Sequence, residues 1–250
     1  MHIKSFGCSF IFGSELSDES VNNHCLKSRG LTWPAQLVKD YLKGSSLTWP
    51  AQLAKHYNYN YHTYARPGSG NLQILERIMS TLAGAINDDT ICVVGWTWID
   101  RFDYCLDTPE WPGLPWATLM PVDTTEISKI YYRDLHSELQ DKISSLVYIR
   151  QAIDFLQEKS IPFLMTYMDD LLFNDQWNTT PAITELQAYV KPYMTNFDGL
   201  NFQEWSKKNK FPISEIGHPL EQAHQSAAEY MIKALIRKIQ ALIAISFKFQ

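Results

Sequence analysis

Two residue types that could together perform nucleophilic catalysis lie near opposite ends of this 250-residue chain. Ser9 follows a Gly-Cys pair at the end of a short apolar run, and His218 immediately precedes a proline. A serine hydroxyl is a weak nucleophile until a histidine within hydrogen-bond reach accepts its proton, and that histidine needs an acid to hold its tautomer. A Gly-Cys-Ser turn alone commonly only ends a strand, so neither residue identifies a catalytic site by itself.

Three short blocks place these residues in a recognisable order. The segment Gly7-Cys8-Ser9 resembles the first block of the SGNH (GDSL-type) esterases, Gly-Asp-Ser, with cysteine in place of aspartate. The turn at residues 65–71, ARPGSGN, resembles the second block, and residues 215–219, EIGHP, resemble the last block, Asp-x-x-His-Pro. The resemblance covers almost the whole chain. It implies a serine hydrolase with Ser9 as nucleophile, His218 as base and Glu215 as acid.

The resemblance also implies an oxyanion hole, whose donors stabilise the negative oxygen of the tetrahedral intermediate. The backbone amides of Ser9 and Gly68 are the first candidates. The family's third block, Gly-x-Asn-Asp, adds an asparagine side chain, but this chain has Gly-Trp-Thr-Trp at residues 95–98. Asn71 or the hydroxyl of Thr97 could replace that donor. We favour Asn71, because its amide N–H groups are donors of the same kind.

Substrate-binding candidates come from the segments that follow the third and fourth predicted strands. Tryptophan rings there could stack on sugar faces, although clustered tryptophans more commonly only pack together. Charged side chains on the same segments could contact a polar substrate. The candidates are Trp96, Thr97, Trp98, Arg101 and Asp169.

Two other patterns have structural explanations that we prefer. The tetrapeptide at residues 167–170, YMDD, coincides with the metal-binding motif of reverse transcriptases. A polymerase would also need a basic template channel, which an acidic chain of this size does not supply. His224 lies six residues beyond His218, on a different face of the predicted helix, and is expected to pack or to be exposed there. The remaining histidines lack the spacing of metal ligands, so we expect neither a metal nor a cofactor.

Strand-like and helix-like segments alternate along the chain. Apolar runs predict strands at residues 3–8, 61–66, 90–96 and 162–168, and helical periodicity predicts helices at about 71–86, 124–158 and 219–243. Such alternation favours parallel pairing with ligands beyond the strand carboxyl ends. We therefore expect an α/β fold: a three-layer α/β/α sandwich with a central, mainly parallel five-stranded sheet, flavodoxin-like as in the SGNH hydrolases. Residues 97–122 are expected to form a long loop.

An internal duplication lies between the first two predicted strands. Residues 31–41, LTWPAQLVKDY, recur as residues 47–57, LTWPAQLAKHY. Two copies are too few to build a solenoid, so we interpret a surface insertion at about residues 17–46 of a single domain spanning 1–250. We predict that the second copy forms the core helix, with Thr48 as N-cap and Pro50 in the first turn. The first copy would be peripheral or part of a lid.

The charge and apolar content of the chain limit the kinds of partner that we expect. The chain carries 22 basic and 27 acidic side chains, and its formal charge of −5 disfavours binding to nucleic acid. It has no apolar run of about 20 residues and no pattern of a secretory signal, so we expect a cytoplasmic protein without a membrane partner. Its oligomeric state stays open.

The sequence thus predicts an esterase that removes an acyl group, such as acetyl, from a small-molecule or carbohydrate-like ester through an acyl-Ser9 intermediate. The alternative is a catalytically inactive binding or structural module on the same fold, which the altered first and third blocks would fit.

Overall fold

The computed structural model describes residues 1–18, 44–84, 89–106 and 116–246, and in the last helix it describes side chains as far as residue 235. The strands are β1 (His2–Gly7), β2 (Asn60–Thr63), β3 (Thr90–Trp96), β4 (Phe102–Cys105), β5 (Trp116–Leu119) and β6 (Phe163–Tyr167). The helices are α1 (Ser9–Phe12), α2 (Trp49–His56), α3 (Asn71–Leu82), α4 (Glu126–Ile130), α5 (Glu138–Glu158), α6 (Pro181–Val190), α7 (Phe202–Lys208) and α8 (Glu221–Ser246). A π-helical turn (Tyr131–Leu135) separates α4 from α5, and 3₁₀ turns occupy Asp170–Leu172 and Lys191–Tyr193.

Within the described residues, four parallel strands form the central sheet in the order β2-β1-β3-β6. The predicted α/β fold with a mainly parallel sheet is therefore confirmed. Where a fifth strand would pair with β6, the structure has a single parallel bridge between Met165 and Met194, with Thr195 N donating to Met165 O at 2.7 Å. The five-stranded, three-layer form of the fold stays a prediction.

Strand β3 is buried along its whole length and contributes to two apolar cores. Because successive side chains of a strand point to opposite faces, Ile91 and Val93 pack with α2, α7 and α8, whereas Cys92, Val94 and Trp96 pack with α3, α5 and α6. Helices therefore flank the sheet, and the long apolar run of β3 reflects burial on both faces.

The predicted loop at residues 97–122 was only partly right. Residues 102–105 and 116–119 form the antiparallel pair β4–β5, with Asp103 opposite Thr118. Residues 107–115 lie outside the described part of the chain. The short strands carry tryptophan and charged residues without a clear alternation, which is why the sequence did not indicate them.

The second copy of the duplicated segment forms the core helix α2, as predicted. Trp49, Leu53 and Ala54 are buried in it, Thr48 Oγ1 accepts from Ala51 N at 3.4 Å, and Pro50 lies in the first turn. A proline is tolerated there because the first N–H groups of a helix have no intrahelical acceptor. The first copy, at 31–41, lies outside the described residues.

The two ends of the predicted insertion are close together. The carboxylate of Asp18 accepts from the backbone N–H of Ser46 at 2.8 Å and from its hydroxyl at 2.6 Å, and it also accepts from the hydroxyl of Ser45. The chain therefore leaves and re-enters the described structure at one place. That geometry suits an insertion, although the single-domain organisation itself stays a prediction.

Candidate active site

Ser9 lies at the carboxyl end of β1, as the first residue of α1. The turn is tight because Gly7 and Gly95, paired on β1 and β3, both lie beneath Ile11. A Cβ atom at Gly7 would lie 2.6 Å from Ile11 Cγ1, and one at Gly95 would lie 2.5 Å from the same atom. Glycine at both positions therefore lets α1 lie directly on the strand ends, which fixes the position of the Ser9 side chain.

His218 is held by a tight turn just before α8. The backbone N–H of His218 donates to Ser214 Oγ at 3.0 Å, and the N–H of Ser214 donates to His218 O at 2.9 Å. Gly217 adopts a φ of +92°, a left-handed conformation that glycine reaches without steric cost. The turn brings the imidazole to the end of β1, across 209 sequence positions.

The hydroxyl of Ser9 and the imidazole of His218 meet at hydrogen-bond distance. Ser9 Oγ lies 2.8 Å from His218 Nε2, and His218 Nδ1 lies 2.6 Å from Glu15 Oε2. A carboxylate can only accept, so Nδ1 carries the proton and Nε2 is the acceptor for the serine O–H. The contacts therefore have the arrangement of a nucleophile, a base and an acid.

The carboxylate at His218 is that of Glu15, which corrects the expectation for Glu215. Glu215 is exposed, and among the described residues its side chain makes no hydrogen bond to His218. Glu15 has a φ of +68°, which is uncommon for a residue other than glycine, and Ser214 Oγ donates to its Oε2 at 2.5 Å. Ser214 thus contacts both the acid and the backbone of the base. Glu15 opens a polar stretch without periodicity, so no sequence signal marked it.

Aromatic rings pack on one side of the contact between Ser9 and His218. The ring centroid of Phe10 lies 4.9 Å from that of His218 and 5.3 Å from that of Trp98, both at steep angles. Edge-to-face contacts of this kind are favourable and restrict ring rotation. Phe10 was not among the predicted site residues. Trp98 was predicted, and the Phe10 ring contacts both Trp98 and His218.

The glycine turn at residues 67–70 follows β2 and begins α3. Gly68 has a φ of +79°, and among the described residues its N–H has no acceptor. Asp103 holds the turn from β4, since its carboxylate accepts from Gly70 N at 2.9 Å and from Gln73 N at 2.9 Å. The amide of Ser9, at the first position of α1, is likewise without an intrahelical acceptor. Both predicted oxyanion amides are therefore available as donors.

Asn71 does not have the role that the sequence suggested. Its Nδ2 donates to Thr97 O at 3.3 Å and to Ser145 Oγ at 3.1 Å, while its Oδ1 accepts from Thr97 N at 2.9 Å. Both amide protons are therefore used within the protein, and Asn71 ties α3 to the segment after β3. The alternative donor, Thr97 Oγ1, is buried without a hydrogen-bond partner.

Of the five predicted substrate contacts, three are buried in the protein. Trp96 and Thr97 have no exposed surface, and the carboxylate of Asp169 accepts from Ile99 N and Leu171 N, each at 3.0 Å. Burial raises the pKa of Asp169, and these two amides oppose that rise. These residues support the loops at the strand ends and do not face a substrate.

Trp98 and Arg101 are half-buried and remain candidates for substrate contact. The guanidinium carbon of Arg101 lies 4.9 Å from the Trp98 ring centroid, and Nη1 donates to Ser69 O at 3.1 Å. Arg101 therefore connects the aromatic side of the site with the glycine turn.

His224 is buried in the core. From the sequence we expected it either to pack or to be exposed, and the structure shows the packed arrangement. Its Nδ1 accepts from Trp49 N at 3.2 Å, at the start of α2, and its ring packs on Phe202. Burial lowers the pKa of His224 to about 3. The imidazole is therefore neutral and caps a helix.

Comparison with known proteins gives matches only among solved structures; no family model and no curated protein matches the sequence. The chain is similar in structure to GDSL-type esterases, at low sequence identity. A lipolytic protein of the G-D-S-L family from Veillonella parvula is 12% identical, with 95% of this chain and 99% of that one covered and a TM-score of 0.46.

Two further structures show the same range of similarity. A psychrotrophic esterase from Pseudoalteromonas sp. is 10% identical, covers 96% of this chain and 98% of its own, and has a TM-score of 0.49. An acetyl xylan esterase is 11% identical, covers 94% and 99%, and has a TM-score of 0.46. Identities this low leave the chemistry to be inferred from this chain's own contacts. Within the described residues, no helix is both long and apolar enough to span a bilayer.

Proposed function

We propose that this protein is a serine ester hydrolase that transfers an acyl group to Ser9 and then to water. The observation that supports this most directly is the chain of two contacts, 2.8 Å from Ser9 Oγ to His218 Nε2 and 2.6 Å from His218 Nδ1 to Glu15 Oε2. A serine within hydrogen-bond reach of a histidine, itself oriented by a carboxylate, is the diagnostic geometry of an activated hydroxyl nucleophile.

In the first step, Ser9 Oγ attacks the acyl carbon of the ester while its proton passes to His218 Nε2. The carbonyl π electrons move to the oxygen, which the free N–H groups of Ser9 and Gly68 are suited to stabilise. The intermediate then collapses, the alcohol leaves with the proton from His218, and the acyl group stays on Ser9. Glu15 stabilises the positive imidazole throughout.

In the second step, a water molecule gives its proton to His218 Nε2 and attacks the acyl-Ser9 carbonyl. Collapse of this intermediate returns the proton to Ser9 Oγ and releases the carboxylic acid. The half-buried Trp98 and Arg101 are the proposed substrate contacts, and they suit a polar or carbohydrate-like ester of a small acid such as acetate.

A fluorophosphonate probe tests the proposal, because it reacts with activated serine nucleophiles. The expected result is labelling of the wild-type protein and none of Ser9→Ala, together with turnover of p-nitrophenyl acetate that is lost in the same variant. Ser14→Ala is a matched control, since Ser14 is a buried serine near the site whose hydroxyl has no hydrogen-bond partner. If neither wild type nor control is labelled, an inactive binding module becomes the better account.

A further inference from the structure

The carboxylate that orients His218 is partly exposed to solvent. The side chain of Glu15 is 33% exposed, whereas that of His218 is 13% exposed. A glutamate has three rotatable side-chain bonds, and holding such a side chain in one conformation costs entropy. An ion pair near solvent gains little free energy to offset this cost. The contact with His218 is therefore a weak anchor for the carboxylate by itself.

The hydroxyl of Ser214 supplies a second anchor. Ser214 Oγ lies 2.5 Å from Glu15 Oε2, and this same oxygen lies 2.6 Å from His218 Nδ1. A carboxylate oxygen only accepts hydrogen bonds, so the hydroxyl proton of Ser214 points at Glu15. Hydrogen bonds to a charged acceptor are shorter and stronger than those between neutral groups. Two donors of the same turn therefore hold one oxygen of Glu15.

The direction of the Ser214 hydroxyl is fixed by the backbone of the base. The N–H of His218 donates to Ser214 Oγ at 3.0 Å, so the hydroxyl oxygen already accepts on one side. The turn is closed by Gly217 N, which donates to Ser214 O at 3.0 Å. A hydroxyl group rotates until its partners fix it. Here a donor on one side and an acceptor on the other fix its rotation.

These contacts form a closed loop between the acid and the turn that carries the base. The backbone N–H of His218 bonds the Ser214 hydroxyl, this hydroxyl bonds Glu15, and Glu15 bonds the His218 ring. The loop fixes the carboxylate relative to the backbone of His218, and it fixes the ring through the carboxylate. Proton transfer from Ser9 needs a ring in a fixed position, because small displacements of a catalytic group lower the rate strongly.

A second contact joins the same two parts of the chain without touching the Glu15 carboxylate. Ser17 N donates at 2.7 Å to Glu221 Oε1, at the start of α8. Leu16, between Glu15 and Ser17, is 3% exposed, so the backbone there is also held by apolar packing. The backbone of this segment is thus secured without Ser214. What Ser214 adds is the orientation of the carboxylate.

We propose that Ser214 is a positioning residue, which holds the Glu15 carboxylate at His218 Nδ1 and acts on the reaction only through these two residues. A carboxylate at Nδ1 keeps the proton there, so a Glu15 that turns into solvent leaves more of the imidazole with its proton on Nε2. That tautomer cannot accept the proton of Ser9. The effect on turnover rests on the proposed function, whereas the effect on the tautomer does not.

Hydrolysis of p-nitrophenyl acetate tests the effect on turnover. Ser214→Ala should lower kcat about 10- to 100-fold and leave KM within about twofold, because it displaces the base and leaves substrate binding unchanged. Ser214→Thr keeps a hydroxyl at this position and should restore kcat to within about threefold of the wild type. Glu221→Ala is the matched control, because it removes the other contact between the two segments, and it should leave kcat within about twofold.

Nitrogen-15 NMR of histidine-labelled protein tests the positioning without turnover. At a pH where the imidazole is neutral, the two ring-nitrogen shifts show which nitrogen carries the proton. The signals of His218 are identified by their absence from His218→Ala. The wild type, Ser214→Thr and Glu221→Ala should carry the proton on Nδ1, and Ser214→Ala should carry a larger share on Nε2. Circular dichroism melting identifies the variants that fold, and Ser214→Cys, a weaker donor of similar size, takes the place of an unfolded Ser214→Ala.

An unchanged His218 tautomer in the folded variant overturns the proposal, as does an unchanged kcat in a protein whose wild type is active. An equal loss of kcat in Glu221→Ala also overturns it, because Ser214 would then only hold two segments together. If the fluorophosphonate does not label the wild type, the proposed hydrolysis is contradicted, and the tautomer alone decides on Ser214. A labelled, active wild type with no change in Ser214→Ala contradicts only the positioning role.

Discussion

His218 and Glu15 are joined by a hydrogen bond of 2.6 Å between residues 203 positions apart. The nucleophile and the acid therefore come from one short segment, residues 9–15, and the base comes from the other end of the chain. Because α1 begins at Ser9 and ends three residues before Glu15, its position fixes the distance between the serine and the carboxylate. The imidazole of His218 lies between the Ser9 hydroxyl and the Glu15 carboxylate and contacts both.

Replacing the acid tests which glutamate orients the base. Glu15→Gln should lower kcat for p-nitrophenyl acetate by about 10⁴-fold, because an amide favours the wrong imidazole tautomer. Glu215→Gln is the matched control and should leave kcat unchanged, since among the described residues the hydrogen bond to His218 Nδ1 comes from Glu15 and none comes from Glu215. A large loss in Glu215→Gln with little loss in Glu15→Gln would contradict the contact seen here.

Much of the fold was predictable, because the apolar runs in the sequence correspond to elements that are buried in the structure. The run at Thr90–Trp96 is buried on both faces, and the Thr-x-Pro pattern before α2 meets the needs of a helix start. The hairpin β4–β5 was not predictable, since its two strands pair across a long connection and carry no alternation. Pairing between distant short segments depends on tertiary context.

The candidate site was predictable only where local sequence determines local geometry. Ser9 and His218 belong to turns with recognisable glycine and proline positions. Glu15 reaches His218 through a left-handed backbone conformation, and Asn71 uses both amide protons on Thr97 and Ser145. Such contacts depend on which elements meet in space, which spacing along the chain does not encode.

The two C-terminal histidines should respond differently to truncation. His218→Ala should lower kcat by about 10⁶-fold and leave the melting temperature little changed, because this residue acts in proton transfer. His224→Ala should lower the melting temperature, because it leaves a cavity and an uncapped N–H at Trp49, while the folded protein keeps most of its activity. Calorimetry and ester turnover, measured on both variants, check this. Equal losses of activity would contradict the assignment of His218 as the base.

The third oxyanion donor can be tested at Thr97. Thr97→Val removes a buried hydroxyl without a partner, so the free energy of unfolding should rise by about 1 kcal/mol. The value of kcat should not change. If kcat falls by about 10²–10³-fold, the hydroxyl is an oxyanion donor after all.

Asn71→Leu is the companion test, because Asn71 is buried and fully hydrogen-bonded. This change should lower the free energy of unfolding by about 1–3 kcal/mol, since it leaves the backbone of Thr97 without partners. Urea titrations of both variants measure the two opposite shifts. Equal destabilisation by both would mean that the Thr97 hydroxyl has a partner in solution.

Asp141 should make the protein less stable as the pH rises. Its pKa is raised from 3.8 to about 6 by burial, and His136 lowers it while Asp100 and Glu138 raise it. A folded-state pKa above the unfolded value means that the folded state binds more protons between these two pH values. The contribution of Asp141 to stability is therefore full below about pH 4 and is lost as the pH rises through about 6.

The Asp141→Asn variant isolates this contribution, because asparagine has nearly the same shape and does not titrate. The difference in unfolding free energy, variant minus wild type, should increase from pH 4 to pH 7 in urea titrations. Asp154→Asn is the matched control for the substitution itself, because the Asp154 side chain is 51% exposed on the same helix, where it contacts Arg150 and Tyr189. A difference that stays constant over this range for Asp141→Asn would show that the carboxyl is not desolvated in the folded state.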